Sequence, residues 1–357
     1  MRCDVELLNN KFRGGGKLAA SAPFPSVDET RVEALLRHFD YDVTTPLVEV
    51  EGLAEVEGLA EVDAFWVKDE RGRMGLGSFK ALGAAYVIAR QAAEVSKNPD
   101  SETLKDRTYV TASAGNHGIS VAAGARMFGA QAVVYIAETV PTAFEGRLAS
   151  FGAQVIRAGT DYAASMEAAS TAAKENGWTL LSDSSWEGYT DLPYTLMEGY
   201  LQMAHEAVMQ CRDVPTHVFL QAGVGGLAGA VAAFVRKVWG DAPRIVVVEP
   251  QAAPALQASI RAGTCTFADG PDSTMGRLDC KEPSLIALNG LARDADDFLT
   301  VSDEDVGSRL SQMAELDLAT TASGGAGMAA AMMREVQAAI GIGPDSRILC
   351  FLSEVPE

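Results

Sequence analysis

Four stretches of the chain and one residue near its end have types and spacings that could do chemistry. The first stretch runs Lys68-Asp69-Glu70-Arg71-Gly72-Arg73-Met74-Gly75-Leu76-Gly77-Ser78-Phe79-Lys80 and passes into Ala81-Leu82-Gly83-Ala84-Ala85-Tyr86. A charged, glycine-punctuated loop thus delivers Lys80 to the entrance of a small-residue helix. A desolvated site near a helix N-terminus favours a partly deprotonated amine, and glycine lets backbone approach a bulky planar group, so Lys80 reads as a Schiff-base lysine. Taken alone, the stretch is more often a surface loop with an exposed lysine.

The second stretch, Gly223-Val224-Gly225-Gly226-Leu227, follows a strand pattern and opens a helix, where backbone N–H groups and the helix dipole suit a phosphate. It is not a dinucleotide fingerprint, because Ala228 stands where the third glycine is required and Gly229 comes one residue late. A purely structural turn is the competing reading. The third, Ser113-Ala114-Gly115-Asn116-His117-Gly118, offers backbone amides, a hydroxyl and a side-chain amide at a helix start, which suits a carboxylate; a structural turn fits nearly as well. A lone His117 is more often a packing imidazole than a base. In the fourth, Asp183-Ser184-Ser185-Trp186-Glu187-Gly188-Tyr189, Asp183 suits either a substrate ammonium or a local Asx turn. Ser353, at the end of the last strand pattern, could hydrogen-bond an aromatic nitrogen. His38, His205 and His217 lack Cys, Asp or Glu partners at ligand spacing, so no metal is expected, and there is no nucleophile elbow.

The elements that must position these groups alternate between strand and helix from Lys80 onward, the pattern of a parallel sheet covered by helices. Strands are expected at 64–67, 108–111, 132–136, 154–157, 179–183, 216–221, 244–250, 298–301 and 347–352. Helices are expected at 141–150, 161–176, 194–211 and 326–340, with Ser302-Asp303-Glu304-Asp305 capping another. Four consecutive apolar residues, Ile245-Val246-Val247-Val248, mark a strand buried on both faces. In such a sheet the glycine-marked turns lie together at the carboxyl ends of the strands, which makes one shared crevice. The hexapeptide Glu51-Gly52-Leu53-Ala54-Glu55-Val56 is repeated at once as Glu57 to Val62, a local duplication too short for a solenoid.

At 357 residues the chain exceeds one ordinary core, so two lobes are expected. A net charge of -19 argues against nucleic acid or an anionic membrane as partner, and any anionic ligand must be held by local dipoles. The N-terminus lacks a signal-peptide core and no long apolar run appears, so a cytoplasmic protein is expected. The five cysteines are scattered without a CxxC pair and support neither a disulfide framework nor zinc.

In this order the four stretches resemble the fold type II pyridoxal-phosphate enzymes, the tryptophan synthase β family. Within it, Arg73-x-Gly75-Leu76-x-x-Phe79-Lys80, Asp183-x-x-Trp186-Glu187-Gly188-Tyr189-Thr190, Gln221-Ala222-Gly223-Val224-Gly225 and Cys280-x-Glu282-Pro283-Ser284 are similar to the diaminopropionate ammonia-lyase pattern. The resemblance implies an α/β fold of two lobes, with parallel-rich twisted sheets covered by helices and pyridoxal 5'-phosphate between them. It implies a large lobe of 1–85 and 160–357, a small lobe of 86–159, a small amino-acid substrate and a homodimer. Carried over by residue, Lys80 would hold the cofactor and move the α-proton, while Gly223, Val224, Gly225, Gly226 and Leu227 would bind its phosphate. Ser353 would meet the pyridine nitrogen and Asn116 the phenolic oxygen. Ser113, Ala114, Gly115, Asn116 and His117 would hold the substrate carboxylate, with Asp183 on the side-chain amine and Tyr189 also in the substrate site. The implied reaction is α,β-elimination of an L-amino acid. A serine or threonine dehydratase, a β-replacement enzyme and a weakly active cofactor-binding protein are the alternatives. Two departures stand out. Ala114 replaces an acid implied to act on D-isomers, and Ala322 replaces a Glu ahead of Ser323-Gly324, which should remove a carboxylate from beside the cofactor.

Overall fold

The structure, a computed structural model, describes residues 5–39, 44–51 and 61–356; all but the ends of the hexapeptide repeat lie outside them. Among the described residues eleven strands form two sheets. In chain order they are β1 (Glu6–Asn9), β2 (Leu47–Glu49), β3 (Ala64–Asp69), β4 (Thr108–Ala112), β5 (Gln131–Ile136) and β6 (Ala153–Arg157). There follow β7 (Thr179–Leu180), β8 (His217–Gln221), β9 (Arg244–Pro250), β10 (Asp297–Val301) and β11 (Arg347–Leu352).

The larger sheet has the order β1-β10-β9-β8-β11-β3-β2. Its five inner strands are parallel, and only the edges β1 and β2 pair antiparallel. Helices cover both faces, which is why Val246, Val247 and Val248 are wholly buried without any alternation along β9. The smaller sheet, β6-β5-β4-β7, is all parallel.

Three expectations are corrected. The smaller sheet does not end by residue 159, because β7 pairs with β4 in the register Tyr109↔Thr179 and Val110↔Leu180. The helix Tyr162–Asn176, capped by the Asp161 side chain, packs on that sheet as well. The long helix expected over 194–211 is two, Asp191–Gly199 and Leu201–Gln210, joined at Tyr200. The helix expected over 326–340 is Ala322–Ala331 and Arg334–Ile340, interrupted at Met332-Met333. Apolar periodicity runs through both breaks, so the pattern could not show them. Ser302 does form the expected capping box with Asp305. β1, for which the N-terminal sequence gives no clear signal, is an added edge strand.

The loop before Lys80 is held at both ends. Glu70–Gly75 winds as a 3-10 turn broken by Arg73 and Met74, and Met74 takes a left-handed φ of 50°. Gly77, at φ 81°, then brings the chain alongside the end of β11. The Phe79 N–H donates to Ser353 O (3.0 Å) and the Val355 N–H to Gly77 O (2.9 Å). The last strand thereby fixes where the helix Lys80–Val95 begins.

Candidate active site

Lys80 is the first residue of its helix, and Asp183 follows β7 in the smaller sheet. Their side chains form an ion pair that joins the two halves of the molecule. Burial alone would strip the charge from Lys80. The Asp183 carboxylate outweighs it and holds the ammonium far above its ordinary range, while Asp183 is held far below that of a carboxylate despite its own burial. The expectation of a partly deprotonated amine is therefore corrected in this structure: a counter-charge in contact dominates desolvation.

The Asp183 turn is buttressed by residues that sequence reading assigned to the substrate. The Tyr189 hydroxyl donates to Leu180 O (2.8 Å) and accepts the Ser182 N–H (3.0 Å), and its ring stacks on Trp186 with centroids 4.3 Å apart. Both bonds go to the chain, so Tyr189 is placed to fix the turn that carries Asp183. His117 Nε2 donates to Leu181 O (2.9 Å), which ties the helix Asn116–Met127 to the same strand end. Burial pushes its pKa down, and Nδ1 is left buried without a partner. A neutral imidazole with this bond matches the packing reading of His117.

Gly115 is the N-cap of that helix, and the amides from Ala114 to Gly118 find no backbone acceptor among the described residues. They form the row of donors that a carboxylate needs. The second row is at the end of β8. Gly225, at φ 94°, turns the chain into the helix Gly226–Trp239, and the amides from Gly225 to Ala228 are likewise without protein acceptors. A side chain at Gly223 would fall 3.0 Å from Arg277 O and 3.1 Å from Cys280 Sγ, so the cradle exists only because glycine lines it. The Ser353 hydroxyl has no hydrogen-bond partner among the described residues, and its carbonyl is bonded to the Lys80 loop.

Sequence reading missed several groups here. Tyr200 and Cys280 lie beside the ion pair. In both, burial raises the pKa, Cys280 to about 12, and both interact electrostatically with Asp183 and Lys80. The Tyr200 ring lies between Gly83 and Gly226, and its buried hydroxyl, which is close to Lys80, makes no close hydrogen bond among the described residues. Cys280 belonged to a quoted motif; Tyr200 carried no signal beyond falling within a helical pattern. A further missed group is Glu354. Its Oε2 accepts Asn116 Nδ2 (2.6 Å), so a carboxylate reaches Asn116 from the segment after β11 even though position 322 is alanine.

With this geometry in view, comparison decides the family. The pyridoxal-phosphate dependent enzyme family matches residues 39–354. The chain belongs to that family.

Diaminopropionate ammonia-lyase of Escherichia coli K12 is 32% identical over 318 residues, 84% of this chain and 77% of the relative. The crystal structure of the Escherichia coli enzyme in complex with D-serine superposes with a TM-score of 0.83 at 28% identity, covering 99% of this chain and 94% of that one. The same enzyme in complex with an aminoacrylate-PLP azomethine reaction intermediate gives a TM-score of 0.82 at 28% identity, over the same shares of each chain. The α/β fold with parallel sheets under helices is that of these neighbours. Pyridoxal 5'-phosphate is accordingly the cofactor, and the residues present fit it: a glycine-lined amide cradle for a phosphate, a tyrosine ring against Gly226 of that cradle, and a lysine close to that tyrosine. Among the described residues no cluster of His, Cys, Asp and Glu could hold a metal, and no helix is long and apolar enough to cross a membrane.

Proposed function

We propose that this family member eliminates the β-amino group of L-2,3-diaminopropionate, giving ammonia and an enamine that takes up water to yield pyruvate and a second ammonia. The Lys80–Asp183 pair carries the reading. Asp183 is a half-buried carboxylate that holds an alkylammonium. With Lys80 committed to the cofactor, Asp183 would no longer hold a free ammonium, and the β-ammonium of the substrate has the charge to take that place.

The cofactor, when bound, supplies the electron sink that makes the α-proton acidic. The chain supplies the rest. Lys80 takes the α-proton. The amides of Ser113 to His117 hold the α-carboxylate, and Gly223 to Leu227 hold the phosphate. Ser353 would meet the pyridine nitrogen, where a neutral hydroxyl would keep the ring a moderate sink and favour elimination over transamination. Asn116 would meet the phenolic oxygen. Asp183 keeps the leaving nitrogen in place and protonated.

With alanine at 114, Lys80 is the remaining base at the α-carbon, so L-isomers should react and D-isomers scarcely. The test is 2-oxo acid release from matched L- and D-β-substituted amino acids. Equal turnover of D- and L-diaminopropionate would remove Lys80 as the sole base. Faster turnover of L-serine than of L-diaminopropionate would move the assignment to a dehydratase, which the alanines at 114 and 322 keep as the second reading. A cytoplasmic homodimer belongs to the same proposal on family grounds, and light scattering of the purified chain tests the dimer.

A further inference from the structure

Glu354 is 3% exposed, yet both its oxygens are engaged. Oε2 accepts Asn116 Nδ2 at 2.6 Å, and Oε1 accepts Arg277 NH1 at 2.8 Å together with the Thr321 hydroxyl. The backbone is held too: the Thr320 hydroxyl donates to Glu354 O at 2.6 Å, and Ser78 forms a β-bridge with Glu354. Arg277 is positioned from its own side, its N–H donating to Ser323 Oγ at 3.1 Å. Its Nε lies 3.9 Å from where a Cβ on Gly115 would be, so the guanidinium stands beside the amide row assigned to the substrate carboxylate. One carboxylate thus connects the Asn116 amide, a cation beside the carboxylate loop and the segment leading to Lys80.

We propose that Glu354 is a positioning residue that works with Arg277 as a charge pair. It fixes the Asn116 amide with one Nδ2 hydrogen on itself and the other toward the cofactor's phenolic oxygen, and it holds Arg277 as an added cation at the substrate-carboxylate site. An Asn amide has two donor hydrogens on one nitrogen, so anchoring the first decides where the second points. The pair also sets the local field. Glu354 favours positive charge at the nitrogen joining Lys80 to the cofactor, and Arg277 opposes it. The carboxylate comes from the strand end here, not from position 322. The inference rests on the reading of Asn116 as the residue at the phenolic oxygen.

The test is a pH titration of the cofactor's visible absorption band in the holoenzyme, with KM and kcat measured alongside. In Glu354→Gln the midpoint should fall by roughly one pH unit, and in Arg277→Met it should rise. Opposite signs are what a charge pair demands; general loosening of the site would move both variants the same way. Glu354→Asp, which keeps the charge, should stay closer to wild type than Glu354→Gln. Arg277→Met should raise KM for the amino acid roughly tenfold with a smaller change in kcat. If Glu354→Gln fails to fold, the rise in midpoint and in KM for Arg277→Met, whose side chain is partly exposed, still decides the matter. Shifts of the same sign, or no shift in either variant, overturn the proposal. Asn116→Ala separates the two readings. If it leaves the band untouched, the placement of Asn116 is wrong; if it moves the band while Glu354→Gln does not, only the role of Glu354 is wrong.

Discussion

Two lysines twelve positions apart, at the two ends of one loop, face carboxylates in opposite ways. Lys68 is fully buried, and all three of its ammonium hydrogens have acceptors: Thr45 O at 2.6 Å, Glu206 Oε2 at 2.6 Å and Gln210 Oε1 at 2.8 Å. Beside it Arg73 forms a two-toothed contact with Glu70, at 2.6 and 2.7 Å, and another with Glu206, at 2.8 and 2.9 Å. Two cations and two carboxylates close on one another, and the cluster has no direction left in which to bind a ligand. Lys80 has one carboxylate, keeps 22% of its side chain exposed, and lies near a tyrosine hydroxyl that makes no close hydrogen bond among the described residues. A saturated ammonium braces a loop, whereas an unsaturated one can exchange its partner. The first kind holds the backbone that presents the second, including the left-handed turn at Met74.

Removing each lysine should therefore break different things. Lys80→Ala should abolish turnover, by about 10⁴-fold or more, and with it the visible band of the bound cofactor, while the melting temperature stays near that of wild type. Absorption spectra and a 2-oxo acid assay check this; a coloured, active variant would mean that Lys80 is not the attachment point. Lys68→Met leaves Glu206 short of a cation in a dry site and should cost about 3–5 kcal/mol of stability, read from denaturant melts, with activity per folded molecule little changed. Large loss of kcat without loss of stability would contradict the bracing role.

Asp183→Asn tests the exchangeable partner. Turnover of diaminopropionate should fall by about 10²- to 10³-fold. The pH dependence gives a second readout with a definite sign. Because Asp183 raises the Lys80 pKa, cofactor capture by protein stripped of cofactor should speed up as pH rises, since only the unprotonated amine attacks. In Asp183→Asn that rise should move to lower pH, so capture at neutral pH becomes faster even as catalysis becomes slower. Rapid-mixing absorbance measurements would show whether it does.

The smallest expected effect concerns Tyr200. Phenylalanine there removes a buried hydroxyl that makes no close hydrogen bond among the described residues, so the stripped protein should be as stable as wild type or more so, by up to about 1 kcal/mol. The loaded enzyme should hold its cofactor a few-fold less tightly. Calorimetric melts with and without cofactor separate the two; equal effects in both states would give the hydroxyl no part in the site.

Much of this was legible in the sequence, for local reasons. Glycine at 223 and 225 is required by close approach and by a left-handed φ, and both reveal themselves as a glycine-rich turn between a strand and a helix. Lys80 at a helix entrance, Gly115 and Asn116 at another, and the uninterrupted apolar run of β9 are likewise properties of neighbouring residues. The tertiary structure decided what depends on distant ones. Nothing near Lys68 in the chain shows that its ammonium is saturated, because its partners Glu206 and Gln210 lie far along the chain and are brought in by a packed helix. Tyr189 turned out to anchor its own loop, since its hydroxyl meets Leu180 and Ser182 across a turn whose geometry the sequence does not specify. The loss of a carboxylate at 322 looked like the loss of a charge, yet Glu354, 238 residues from Asn116, supplies one. Sequence determines which chemical groups are available and how the chain turns locally. Which groups share a dry pocket, and so neutralise, orient or raise one another's pKa, is decided only when the two sheets come together.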